Sequence, residues 1–117
     1  MEEVLDRNQW VNYFAEFNQR NRSRKTSLEV FGENGAQQQE HGLAFNGISL
    51  DKSDGKSTAE IMLGDGFGSR HLTHVISDIG QITPKLGWDG RDEVLEIVSR
   101  EGETTLLHFE QRATLGS

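Results

Sequence analysis

Histidine and carboxylate are the side chains of this chain that could do acid–base or metal chemistry. There are four histidines and nineteen acidic residues, and no cysteine. The missing cysteine removes disulfides, thiolate nucleophiles, iron–sulfur clusters and every cysteine-containing zinc site. His71 and His74 are separated by an odd number of positions, so a regular strand points them to opposite faces, a poor arrangement for joint ligation. His74 shares its face with Leu72 and Ile76. Packing favours a core or core-edge histidine there, its ring nitrogens bonded to backbone groups. The alternative is a small hydrolase or small-molecule binder using His74 with carboxylates such as Asp65 or Asp78. His108 faces away from Leu107 and Phe109, and His41 lies in a polar run. No local spacing predicts a metal site, a cofactor or a defined catalytic set.

Binding chemistry is better represented in the stretch Leu86-Gly87-Trp88-Asp89-Gly90-Arg91-Asp92-Glu93. A tryptophan between glycines is harder to assign to a core than one on an amphipathic stripe, and Trp and Arg are enriched in binding hot spots. Trp88, Arg91 and Asp92, with His74, are therefore the candidate contact residues. Packing alone favours Trp88 folding back over the open end of a sheet, with Arg91 paired to Asp89 or Asp92. A second cluster, Arg20-Asn21-Arg22-Ser23-Arg24-Lys25, has the charge to meet phosphate or RNA. The acidity of the rest of the chain favours the other reading, a solvated helix end where cations complement the macrodipole.

Two glycine motifs fail on their spacing. Gly55-Lys56-Ser57 looks like the end of a P-loop, but position 50 is Leu50 and a strand pattern follows. Gly64-x-Gly66-x-Gly68 lacks the dinucleotide spacing and has no helix behind it to receive a pyrophosphate. Asp51-x-Ser53-x-Gly55 places glycine where a calcium loop needs an oxygen ligand.

The elements that would position these residues begin with a helix from about Asp6 to Asn21. Trp10, Tyr13, Phe14 and Phe17 recur at helical spacing and put four rings on one face. Asp6 and Gln9 fit a capping box, with Leu5 and Trp10 as a hydrophobic staple. From Thr26 the pattern turns to β. Leu28 and Val30 alternate before the turn Glu33-Asn34-Gly35, and a run from about Gln38 to Leu50 changes phase inside. Leu43 and Phe45 have one parity and Ile48 and Leu50 the other, so Asn46-Gly47 is a bulge, a bend or a turn, with a bent strand favoured. Ala59, Ile61 and Leu63 alternate in a third strand, and further strands cover about 70–77, 93–100 and 104–111. Residues 78–92, with the only proline, Pro84, read as a long connection.

These features predict one α+β domain over 1–117. An N-terminal helix (about 6–21) packs on a curved, mostly antiparallel sheet of five to six strands (about 26–111), curled towards a partial barrel. Residues 113–117 read as a frayed tail. The net charge of −7 is partitioned, because nearly all of the acidic excess follows Lys25. That disfavours generic nucleic-acid binding, which needs cations to displace counterions from phosphates. No apolar run approaches the ~18 residues of a membrane span, and no signal-like start is visible, so the expected location is the cytoplasm.

The order of the Trp10–Phe14 helix, Leu28-Glu29-Val30, Gly47-Ile48-Ser49-Leu50-Asp51, Ile61-x-Leu63-Gly64, His71-Leu72-Thr73-His74-Val75-Ile76, Leu95-Glu96-Ile97 and Thr105-Leu106-Leu107-x-Phe109 resembles a family of small bacterial single-domain proteins with no assigned function. The resemblance spans most of residues 8–110, implies a bacterial origin and transfers no catalytic residue. Element order alone is also similar to Sm-like and SH3-like small barrels. The reading that follows is a non-enzymatic binding or assembly module for a protein partner, or a homodimer.

Overall fold

The structure, a computed structural model, describes residues 4–33, 35–64 and 70–110. A 3-10 turn at Arg7–Gln9 leads into α1 (Trp10–Asn21). The Asp6 N–H donates to Gln9 Oε1 at 3.1 Å, as the capping pattern requires. Trp10, Phe14 and Phe17 are buried and Tyr13 is partly buried against the same core, so the aromatic stripe is the inward face of the helix. The Leu5 N–H bonds to the Ile82 carbonyl at 3.0 Å, which ties the segment before the helix to the sheet.

Among the described residues seven strands follow: β1 (Lys25–Gly32), β2 (Gly35–Ser53), β3 (Lys56–Gly64), β4 (His71–Ile76), β5 (Ile79–Leu86), β6 (Asp92–Ser99) and β7 (Thr104–Phe109). Their order in the sheet is β4-β3-β2-β1-β7-β6-β5, with every pair antiparallel. The long strand β2 belongs to both halves, pairing with β1 through residues 35–44 and with β3 through 45–53. Strands that pass from one half to the other through bulges make the corners of such curved, folded-over sheets. Gly42 (φ +85°) is skipped in the β1 register, and Asn46 is skipped between Phe45 and Gly47 in the β3 register. The phase change read in the sequence is therefore a bulge within one bent strand, and it leaves Leu43, Phe45 and Ile48 all facing the core.

The sheet curves but does not close into a barrel. Strands β4 and β5 are consecutive in the chain yet form the two edges of the sheet. Ser77 and Asp78 join them as a corner rather than a hairpin, with Asp78 at φ +54° and its carbonyl accepting the Arg100 N–H (2.9 Å). Helix α1 lies against β2. Asn18 clamps the bulged segment, donating from Nδ2 to the Ile48 carbonyl (3.0 Å) and accepting the Ile48 N–H at Oδ1 (2.9 Å).

Two expectations change. The count of five to six strands becomes seven among the described residues, because residues 78–92 are not a long connection: β5 fills more than half of that stretch. Its pattern was hidden by register shifts between Ile79 and Gln81 and between Lys85 and Leu86. The first shift puts Ile79 and Ile82, three positions apart, into the core together. Pro84 is tolerated because β5 is an edge strand, where a missing N–H need not break a ladder on both sides. Strands β6 and β7 carry apolar residues on both faces, which split by burial. Leu95, Ile97, Leu107 and Phe109 are buried, while Val94, Val98 and Leu106 are half-buried on the other face.

Candidate functional site

The site forms where the end of α1, the start of β1 and the β5–β6 loop meet. On α1, Tyr13, Arg20 and Asn21 lie seven and eight positions apart and so occupy one flank of the helix. Ser23 (φ +72°) then turns the chain. Its N–H bonds to the Phe45 carbonyl (2.8 Å), and the Arg24 carbonyl accepts the Phe45 N–H (2.8 Å). This anchorage fixes Arg24 beside Asn21.

Asp92, at the first position of β6, is the hub. It is only 6% exposed. Arg20 donates to it from Nε (3.0 Å to Oδ2) and Nη2 (3.3 Å to Oδ1), and Asn21 Nδ2 donates to Oδ2 at 2.9 Å. Arg24 Nη1 donates both to Asn21 Oδ1 (2.8 Å) and to the Asp92 backbone carbonyl (2.8 Å). The Arg24 guanidinium also stacks 4.6 Å from the Phe109 ring centroid, and the Arg20 guanidinium stands 5.6 Å from that of Tyr13. Hydrogen bonding to Asp92 raises the Arg20 pKa against the opposing effect of burial. Burial and then the charge of Arg91 lower that of Arg24, partly offset by Asp92 and Asp89. The Tyr13 hydroxyl is buried beside the Arg20 guanidinium. Burial and then the Asp92 charge raise its pKa well above the ordinary value, against the downward pull of Arg20, so the phenol stays protonated.

These side chains line an open cavity of about 630 Å³, within the usual range for ligand sites. Leu5, Pro84 and Leu86 supply apolar wall, and Arg91 closes the side towards the loop. The loop is itself braced. The Gly87 N–H bonds to the Arg91 carbonyl (2.8 Å), the Gly90 N–H to the Gly87 carbonyl (2.9 Å), and the Arg91 N–H to Asp89 Oδ1 (3.0 Å). Trp88 projects from this closed turn at 93% exposure.

Two of the four residues singled out in the sequence, Arg91 and Asp92, therefore line this cavity, and a third, Trp88, stands on the adjoining loop, in different roles from those packing favours. Trp88 does not fold back over the sheet. Arg91 pairs with neither Asp89 nor Asp92 through its guanidinium, which has no hydrogen bond or ion pair among the described residues. Asp92 is committed to Arg20 and Asn21. The basic cluster is also not a solvated helix end throughout, since Arg20 and Arg24 turn inward to Asp92. The part that Tyr13, Arg20, Asn21 and Arg24 take escaped the sequence reading. One signal was available: Asn21 continues the buried stripe of Phe14 and Phe17 at helical spacing, and a polar residue there needs buried partners.

The fourth residue, His74, lies elsewhere. It is half-buried on β4 between Leu72 and Ile76, with Nε2 3.3 Å from Thr105 Oγ1 on β7. Asp78 instead faces Arg100, whose Nε is 3.8 Å from Asp78 Oδ1, and Asp65 falls outside the described residues, as do most of the Gly64–Ser69 loop and the 113–117 tail. His108 pairs with Glu29 on β1 at 2.8 Å. Among the described residues no group of three or more His, Asp or Glu is placed to hold a metal ion. Burial lowers the His74 pKa from its usual 6.5, against a smaller opposing pull from Glu103. The unfolded chain therefore takes up the proton first as pH falls below about 6.5. The His74 contribution to stability is complete above that pH and is lost as pH falls through the lower folded-state value. His74→Gln should remove this component, so the gap in melting temperature between wild type and variant should narrow from pH 7 to pH 5. A constant gap would show that His74 does not titrate with folding.

No curated protein and no solved structure matches the chain. A family model does, over residues 1–117. With its helix, its curved antiparallel sheet and the arginine-lined cavity between them, the chain belongs to a family of unknown function (DUF5335).

Proposed function

We propose that this protein is a non-enzymatic binding module of the bacterial cytoplasm. In this reading it takes up a segment of a partner protein in the cavity at the C-terminal end of α1, with Trp88 as an anchor at the rim and no cofactor. The observation that carries the reading is Trp88, 93% exposed on a turn closed by three hydrogen bonds beside that cavity. An aromatic ring held out by a braced backbone contributes nothing to packing within the chain and is pre-organised for contact, which lowers the ordering cost of binding. The apolar wall and the neighbouring guanidinium groups supply the mixture typical of recognition hot spots. No described helix is long and apolar enough to cross a membrane.

The test is selection of binders from a displayed library of random 12-residue peptides against wild type and Trp88→Ala. Wild type should enrich a related set of sequences, and Trp88→Ala should bind them at least tenfold more weakly, a typical hot-spot loss. The variant should melt within about 2 °C of wild type, because exposed side chains away from special contacts change stability little. Absence of any enriched sequence, or equal binding by the variant, would refute the reading. A chain that dimerises through Trp88 would instead show sedimentation at twice the monomer mass, lost in the variant.

A further inference from the structure

We propose that the cavity recognises a carboxylate: an Asp or Glu side chain of the bound segment, flanked by apolar residues and seated between Arg24 and Arg91. The proposal rests on the binding reading above and names the chemistry of its occupant.

The charge balance of the lining comes first. Arg20, Arg24 and Arg91 line the cavity against one lining carboxylate, Asp92, and the charge of Asp89 in the adjoining loop offsets only part of the remainder, which leaves the lining positive. Asp92 is already saturated by Arg20, Asn21 and the fold around it. Among the described residues Arg24 hydrogen-bonds through Nη1, to Asn21 and the Asp92 carbonyl, leaving Nε and Nη2 with donors to spare. Arg91 has its whole guanidinium uncommitted among the described residues. The two groups are close enough for the charge of one to disfavour the charge of the other. An anion between them relieves that repulsion and accepts from both.

The second consideration is what each occupant would cost. A wholly apolar segment would cover these guanidinium groups and strip their water without replacing its hydrogen bonds, which is strongly unfavourable for a charge. A basic segment would add repulsion. An acidic side chain satisfies the donors, and its apolar neighbours cover Leu5, Pro84 and Leu86. Arg24 is held in place by Asn21, itself 1% exposed, so little side-chain freedom is lost on binding. The remainder of the chain is acidic, with a net charge of −7 overall. Other faces therefore repel an acidic segment, which confines it to this cavity. A polyanion such as RNA would meet that same repulsion along its length.

The test uses the peptides enriched by the display selection, synthesised with acetylated and amidated ends and a fluorescein label. The enriched set should carry a recurrent Asp or Glu. Changing that residue to Asn or Gln should weaken binding to wild type about tenfold or more, as loss of hydrogen bonds to charged groups implies. Arg91→Gln, an exposed position whose variant should melt like wild type, should bind the acidic and amide peptides equally. Raising salt from 50 to 300 mM should weaken only the acidic peptide. Equal binding of acidic and amide peptides by wild type would overturn the carboxylate assignment while leaving the Trp88-dependent module intact; no enriched peptide at all would remove the module itself. Glutarate displacing the peptide at sub-millimolar concentration, or a 12-nucleotide RNA binding more tightly than the peptide, would also overturn the assignment to an acidic protein segment.

Discussion

Replacing Phe17 by alanine should lower the stability of this protein by about 4 kcal/mol, the range seen when a buried aromatic is truncated to a methyl group. Phe17 is 1% exposed and is the centre of the ring cluster that joins helix to sheet. It meets Phe45 edge-on at 5.4 Å, Phe109 at 5.6 Å and Tyr13 at 5.6 Å, while Phe45 and Phe109 meet each other at 5.5 Å. Phe45 lies on β2 and Phe109 on β7, so this one side chain holds the helix against two strands separated by β1. Alanine would lose the burial of the ring and leave a void that three neighbouring rings cannot fill without leaving their rotamers. Phe17→Leu should cost only about 1.5 kcal/mol, since most of the volume is kept. Urea unfolding with an unchanged slope would measure both. A loss below about 1.5 kcal/mol for alanine would mean that the helix is not part of the same cooperative core. Small domains have only about 5–15 kcal/mol in total, so the alanine variant should also show exposed apolar surface at 37 °C.

The second large effect is expected at Asp92. Asp92→Ala should cost about 2–3 kcal/mol, and the reason is what is left behind. Asn21, 1% exposed, would lose the acceptor for its amide, and Arg20 would lose a bidentate partner. Arg20 is nearly half exposed, so water would take over part of its charge and the cost falls below that of a fully buried pair. Asp92→Asn should cost less, because one acceptor oxygen remains. The diagnostic measurement is the double variant with Asn21→Ala. Removing both sides of the buried hydrogen bond should cost clearly less than the sum of the single losses, since neither partner is then stranded. Additive losses would mean that Asp92 and Asn21 are not coupled. Asp92→Ala should also weaken peptide binding, because its carboxylate orients Arg20 directly and Arg24 through Asn21.

The candidate site was legible as two separate features. Trp88, Arg91 and Asp92 stood out by residue type within a turn-rich stretch, and Arg20–Lys25 stood out as a charge run. Nothing local connects them, since Arg20 and Asp92 lie 72 positions apart. Their meeting follows from β1 and β6 both pairing with β7, which brings Lys25 and Asp92, the first residues of those strands, to the same end of the sheet. The direction in which Trp88 points was equally beyond local reasoning. Burial tendency argues inward, whereas the three hydrogen bonds closing the Gly87–Arg91 turn hold it outward.

For the fold, the sequence by itself determined the elements whose apolar period is uninterrupted. Helix α1 follows from rings at i, i+3, i+4 and i+7, and β1 and β3 follow from alternation, because in those segments the face that must leave water is also the face that local geometry makes continuous. It also determined that the Leu43–Leu50 run could not be one regular strand, since Leu43 and Ile48 cannot share a face without an extra residue; the pairing with β3 decided for a bulge over a turn. Tertiary structure alone decided three things: that β5 is a strand despite Pro84 and the irregular Ile79–Ile82 spacing, that the sheet stays open with β4 and β5 as its edges, and that two arginines bury part of their length around Asp92. Each depends on partners distant in the chain. A bulge is defined only against the strand it pairs with, an edge only by the absence of a neighbour, and a buried carboxylate only by the cations that meet it.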